Sequence, residues 1–281
     1  MIKARGKSIS KFEDNVLNED SFSILQNRIA VSDGAGGGGV FAERWSSFLT
    51  SHLPFEPIAD FTSFDKWIDG IWEGFYNEQE KDAKKIGGLF LNKFYDEGSF
   101  ATLVAAWGEG PTINWIVYGD SVIFRYGRKT GELRSSFQKY SDFAKAPSLI
   151  NWKDPCDSSA LKIGKFDIDD DSVILLASDT LSQFIIMMYL YCNGGREELL
   201  EVANGYSKMS NQVKCILASN FAIDFYSNVL NPLCRSVCYG YFPSYLKKLY
   251  LSGFLGYDDY TLVVMGERIF TIHIPPSSCQ G

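Results

Sequence analysis

The order in which strand-like and helical patterns follow one another constrains this chain most. Short apolar runs of β type recur at residues 23–25, 28–32, 101–107, 113–118, 122–126, 173–177, 261–265 and 269–274. Apolar residues at helical spacing fill two blocks between them. In the first, Phe41, Trp45, Phe48, Leu49 and His52 share one face, and Trp67, Ile68, Ile71, Trp72 and Phe75 share another before the sequence turns polar. The second block, 181–191, is apolar nearly all round and reads as a buried helix stopped by Asn193-Gly194-Gly195. Residues 113–126 read as a hairpin turning at Gly119-Asp120-Ser121. Strands and helices come in groups and do not alternate, so the pattern predicts an α+β fold with mostly antiparallel sheets.

Apolar residues make up 46% of the chain and aromatics 15%, which excludes a disordered segment. No repeat, low-complexity block or long linker divides the sequence, so one domain over 1–281 is expected. A net charge of −7 argues against a nucleic-acid binder, which needs cations to displace counterions. The longest apolar run, 184–192, falls short of the roughly 20 residues a membrane span requires, and the first residues lack the apolar core of a signal peptide. The six cysteines (Cys156, Cys192, Cys215, Cys234, Cys238 and Cys279) have no zinc-site spacing, and the expected setting is a reducing cytoplasm. The sequence leaves the oligomeric state open.

The chemistry-bearing regularity is the position of certain aspartates. The run 29–32 ends in Asp33-Gly34, the run 173–178 ends in Asp179, Asp258-Asp259 stands just before 261–265, and Asn18-Glu19-Asp20 precedes Phe22. Each carboxylate is thereby fixed at a sheet rim. One such aspartate is ordinary turn chemistry. Several converging in a low-dielectric cleft repel one another unless a cation joins them. Carboxylates, a backbone carbonyl and water suit hard divalent ions such as Mg²⁺ or Mn²⁺. Two such ions bridged by an aspartate, about 3.5–4 Å apart, activate water for in-line attack on phosphorus.

Six segments occur in one order: Asn18-Glu19-Asp20, Asp33 to Gly37, Gly98 to Thr102, Gly119-Asp120-Ser121, Ser178-Asp179 and Asp258 to Thr261. In this order they resemble the metal-dependent protein Ser/Thr phosphatases of the protein phosphatase 2C type. The resemblance implies a sandwich of two antiparallel β-sheets flanked by α-helices, with a metal cleft at one edge. It implies two Mn²⁺ or Mg²⁺ ions per chain, Asp33 bridging them and Gly34 offering its carbonyl. Asp179 and Asp258 would complete the second ion's shell, and Glu19 and Asp20 would hold the ions directly or through water. Asp120 would be a structural turn residue. The implied activity is hydrolysis of phosphoserine or phosphothreonine in proteins by a metal-activated water, with Asp33, Asp20 and Glu19 as the catalytic set.

The chain departs from that pattern at several positions. Asn15 stands where the family has a phosphate-gripping Arg, and Lys11, Arg5 and Lys7 are the candidate substitutes. Thr180 replaces a Gly, Asp259 an Asn and Phe100 a Thr, while Asp96 is one residue off a third-metal position. These departures keep open a second reading, a catalytically weak or inactive module that binds a phosphoprotein or regulatory partner. A third reading rests on the glycine run 34–39, which satisfies G-x-G-x-x-G after a strand. It lacks an acidic residue closing a second parallel strand, since Asp60 lies in a strand-poor stretch. Cys192, at the end of an apolar helix, reads as an inert thiol, and His52 and His273 have no triad partners.

Overall fold

The computed structural model describes residues 3–266 apart from 14, 138, 206 and 220–222. The predicted strand 269–274, His273 and Cys279 lie outside the described residues. The chain runs through β1 (Ala4–Ile9), β2 (Asp20–Ile24), β3 (Arg28–Asp33), α1 (Ala42–Ser51), α2 (Phe61–Ile86) and α3 (Gly88–Glu97). Then come β4 (Phe100–Ala101), β5 (Leu103–Glu109), β6 (Thr112–Tyr118), β7 (Val122–Gly127), β8 (Leu133–Ser135), β9 (Ile150–Asn151), β10 (Leu161–Asp167) and β11 (Ser172–Ala177). Helices α4 (Asp179–Cys192), α5 (Arg196–Gly205), α6 (Ser207–Ala218), α7 (Asn231–Tyr239) and α8 (Phe242–Leu251) precede β12 (Tyr260–Met265).

Two five-stranded sheets form, in the orders β1-β12-β11-β7-β8 and β10-β6-β5-β3-β2, with a two-stranded ribbon of β4 and β9. The strand pairs are antiparallel. Alternation along the strands sorts the side chains into three cores. Ile29 and Val31, Val104 and Ala106, Ile174 and Leu176, and Val263 and Met265 meet between the sheets. The opposite face of the second sheet packs Ala30, Ala105 and Ile116 against Trp45, Leu49 and Phe75 of α1 and α2. The opposite face of the first sheet packs Phe124, Leu175 and Leu262 against α4–α8. The layers are therefore helix, sheet, sheet, helix, as the resemblance implies.

The expected hairpin at 113–126 does not form. Strand β6 pairs with β5 and β10, whereas β7 pairs with β11 and β8, so Gly119-Asp120-Ser121 carries the chain from one sheet to the other. Both runs are buried almost throughout, and each needs its own sheet to satisfy its backbone. Gly119 takes φ 101° at this crossing, a conformation only glycine adopts freely. The predicted run 101–107 is likewise two strands divided at Thr102. Asp60 is the N-cap of α2, accepting a 2.7 Å bond from the Ser63 amide, and so has no part in a dinucleotide site. Among the described residues no helix is long and apolar enough to cross a membrane.

Candidate metal centre

The inter-sheet core ends in polar residues that continue the same alternation. Asp33 follows Ile29 and Val31 on one face of β3, and Asp20 lies directly opposite it across the β2–β3 pair. Opposite residues in an antiparallel pair project to the same side, so both carboxylates point between the sheets. Thr102, Ser121, Ser178 and Thr261 stand two residues from Val104, Ile123, Leu176 and Val263 and join them there. The hydroxyls of Thr102 and Ser121 share a 2.8 Å hydrogen bond, and the Asp33 amide donates to Thr102 Oγ1 at 3.2 Å. The Thr261 amide donates to Ser178 Oγ at 3.0 Å, and Thr261 Oγ1 donates to Ser8 Oγ at 2.6 Å. One end of the sandwich is thus a hydroxyl-floored cleft with aspartates in its walls.

The first sheet supplies the other carboxylates. Ser178 ends β11 as the N-cap of α4, which makes Asp179 the first residue of that helix, where an acid is favoured. Asp179 accepts hydrogen bonds from its neighbour Thr180's amide and, at 3.3 Å, from Gln183 Nε2. Asp258 lies just before β12. Its neighbour Asp259 is engaged by backbone, since Oδ1 accepts the Lys11 amide at 2.9 Å and Oδ2 the Glu19 amide at 2.7 Å. Asp259 therefore ties the loop that bears Lys11 and Glu19 to the last strand.

Gly34 is packed by backbone on both sides. A Cβ there would lie 2.7 Å from the carbonyl oxygens of Glu19 and Ala42. The Glu19 oxygen accepts both the Gly34 amide at 3.1 Å and Ser46 Oγ at 2.6 Å, which fixes the start of β2 against the turn. At Gly36 a Cβ would meet the Glu19 carboxylate at 2.0 Å. The glycines let the chain turn close to Glu19, and the Gly34 carbonyl is offered at the end of β3.

Burial and mutual repulsion raise these carboxyl groups. Asp33 is held well above the ordinary range, first by desolvation and then by Asp20, Asp179, Asp120 and Asp258. Asp20 is pushed up to about 8 by desolvation. The nearby Thr261 and Ser178 hydroxyls offset this in part, although neither makes a hydrogen bond of ordinary geometry to it, and Asp259 and Asp179 add repulsion. Asp258 rises to about 6 through burial and Asp179, with Lys11 opposing. Glu19, half-buried, is raised by desolvation, with Lys11 again lowering it.

The sequence-derived set Asp20, Asp33, Gly34, Asp179 and Asp258 is brought to one end of the sandwich, with Glu19 on its rim. Asp120 is buried, and its charge acts on Asp33 from the sheet-to-sheet crossing, so it belongs to this acidic cluster as well as to a turn. Asp96 does not: it is exposed on α3, where its carbonyl accepts the Lys153 ammonium. Of the substitute cations, Arg5 and Lys7 lie on the face of β1 opposite Ser8, and Arg5 acts on Cys238. Lys11 is the one whose field reaches Glu19 and Asp258. Asn15 is exposed with φ 62°. The hydroxyl floor is absent from the sequence reading, although the two-residue offset of each Ser or Thr from its apolar run marks it. Cys192 is pushed up to about 11, chiefly by burial, in keeping with an inert thiol, and Cys234 and Cys238 are unpaired.

These residues suit divalent cations in donor chemistry. Both carboxylate oxygens of Asp20 are buried with no hydrogen-bond partner, an arrangement a cation resolves. No three His, Cys, Asp or Glu side chains among the described residues converge to metal-binding distance as they stand. The carboxylates share one end of the sandwich without closing on one point.

No family model matches the chain, and no curated protein matches it. Solved structures do. The catalytic domain of the serine/threonine protein phosphatase PstP in complex with two manganese ions aligns over 94% of this chain and 97% of its own, at TM-score 0.53 and 16% identity. The Mycobacterium tuberculosis phosphatase PstP/Ppp gives 94% and 98% at TM-score 0.52 and 15% identity. A bacterial serine phosphatase gives 95% and 100% at TM-score 0.51 and 12% identity. With two antiparallel sheets flanked by helices, this chain has the fold of the Ser/Thr phosphatases of the protein phosphatase 2C type.

Proposed function

We propose that the protein is a metal-dependent phosphoserine/phosphothreonine phosphatase, folded as one domain over 1–281. The observation that carries this is the placement of Asp20 and Asp33 from one sheet and Asp179 and Asp258 from the other at one end of the sandwich, with both oxygens of Asp20 unsatisfied. Asp20, Asp33, Asp179, Asp258 and the Gly34 carbonyl would hold two Mn²⁺ or Mg²⁺ ions. Bound there, the ions would supply Lewis-acid activation of water and neutralise charge on the phosphoryl oxygens. The residues themselves do the remaining work. Asp33, its backbone N–H donating to Thr102 Oγ1, sets the spacing of the site. Glu19, half-buried and raised, can accept or return a proton nearer neutral pH than an exposed carboxylate. Lys11 gives the cleft a cation for the phosphate.

Hydrolysis of a phosphoserine peptide should vanish in EDTA and return with Mn²⁺, followed as released phosphate. Undiminished turnover in EDTA would sink the reading. Lys11→Met should raise KM about tenfold, the loss of one charge-assisted contact, while Mn²⁺ affinity by calorimetry does not fall. An unaltered KM removes Lys11 from the phosphate site.

Asn15, exposed and carrying no charge where the family has Arg, favours the second reading of a phosphoprotein-binding module with little turnover. Tight phosphopeptide binding in Mn²⁺ without phosphate release would select it.

A further inference from the structure

Away from the aspartate cleft, a cavity of about 510 Å³ opens between α2 and the segment after β9. Trp72, Tyr76 and Trp152 line it together with Asp65, Asp69 and Asp154. Asp65, Asp69, Trp72 and Tyr76 recur at helical spacing along one face of α2. The rings are held in place. The Trp152 indole donates to Ser99 Oγ at 3.1 Å and packs edge-on against Tyr76 with centroids 5.2 Å apart, and Trp72 meets Tyr76 at 6.2 Å.

The charge in this cavity is negative. Neither Asp65 nor Asp69 has an ion-pair partner among the described residues. Lys153 lines the cavity too and offsets one of the three carboxylates, its ammonium donating to the Asp96 carbonyl, and Asp154 accepts Asn151 Nδ2 at 2.7 Å. Cys156, at the cavity wall, is pushed up to about 12 by burial and then by Asp65 and Asp69, so the field of these acids penetrates the wall. The half-buried Trp72 ring beside an excess of carboxylate over ammonium suits a planar cation. A guanidinium can stack on a ring while its edge meets a carboxylate.

The cavity also lies near the cleft. Gly34 bridges Ala101, Ala101 pairs with Ile150, and Trp152 follows two residues later. Two strand spacings to Ile150, about 10 Å, and two residues along the chain to Trp152, about 7 Å, together span about 12 Å, the reach of about four extended residues. We propose that this aromatic and acidic cavity holds an arginine side chain of the phosphoprotein substrate, three to five residues from the phosphorylated one. The proposal rests on the phosphatase reading only in making the bound peptide a substrate.

The test uses the full chain and matched phosphoserine peptides with Arg or Gln scanned from two to six residues on either side. Two measurements are made: kcat/KM relative to p-nitrophenyl phosphate, and Kd from the tryptophan fluorescence change. The expected result is about a tenfold preference for Arg three to five residues away in both. It should fall to about twofold or less in Asp65→Asn/Asp69→Asn, whose circular dichroism is compared with the parent's. Absence of an Arg preference at every position, or a preference that survives the double substitution, overturns the proposal while p-nitrophenyl phosphate turnover keeps the phosphatase reading. Should no peptide be hydrolysed, that reading fails alone and the Kd values decide the cavity by the same criteria.

Discussion

Asp20→Asn should melt above the parent protein in EDTA and below it in saturating Mn²⁺, with hydrolysis reduced at least a thousandfold. In the parent, the Asp20 carboxyl is buried without a partner and faces Asp33 across the strand pair. Its pKa in the folded protein is about 8, against an ordinary carboxylate value in the unfolded chain. The folded state thus binds the proton more tightly. Its contribution to stability is full at pH below about 4 and is lost as pH rises through about 8. An amide removes that dependence and can donate to Asp33, which gives the metal-free variant about 1–3 kcal/mol over the parent at pH 8. Cations reverse the order, since binding only the native parent at a hundred times Kd contributes about 2.7 kcal/mol. Thermal melts of both proteins at pH 5 and 8, with EDTA and with Mn²⁺, give the comparison. A variant no more stable than the parent in EDTA at pH 8 refutes the strained-carboxylate account.

Gly34→Ala should destabilise the fold by about 3 kcal/mol, a large effect for one methyl group. The obstacles are the Glu19 and Ala42 carbonyls, backbone atoms fixed by β2 and α1. Neighbouring glycines should behave differently. Gly36→Ala meets only the Glu19 carboxylate, a movable side chain, so stability falls little while turnover drops as Glu19 is displaced. Gly37→Ala meets nothing within 4 Å and should be silent. Urea unfolding and kinetics on the three variants separate these outcomes. Equal effects at all three positions would contradict the packing.

Most strands that carry the carboxylates are legible because they are apolar runs bordered by Asp: 28–32, 173–177 and 261–265 appear within a residue or so of their observed bounds. Strand β1 is not legible, because Arg5, Gly6 and Lys7 are poor strand formers, and its place depends on pairing with β12. Strand β10 is a sheet edge carrying Lys162, Gly164 and Lys165, the polar composition that protects edges and hides them from a hydrophobicity pattern. The 113–126 segment misleads for a different reason. A tight Gly-Asp-Ser turn between apolar runs is the signature of a hairpin, and only the partners of β6 and β7 show that it crosses between sheets. The same crossing moves Asp120 from a turn into the field of Asp33. Lys11 is one of three equivalent cations in the sequence. Strand alternation removes Arg5 and Lys7, and the Asp259 tether places Lys11.

Strand β12 lies between β1 and β11, and among the described strands it is the last to leave the ribosome. Until it emerges, β1 has no neighbour in its sheet, the Lys11 and Glu19 amides have no Asp259, and Thr261 is absent from the hydroxyl floor. The cleft cannot be assembled piecemeal during synthesis, although most of its carboxylates are made early. A nascent chain halted before residue 260 is therefore not a weak form of the protein. It lacks the strand that joins β1 to the rest of its sheet, and birth of the cleft is a single late event.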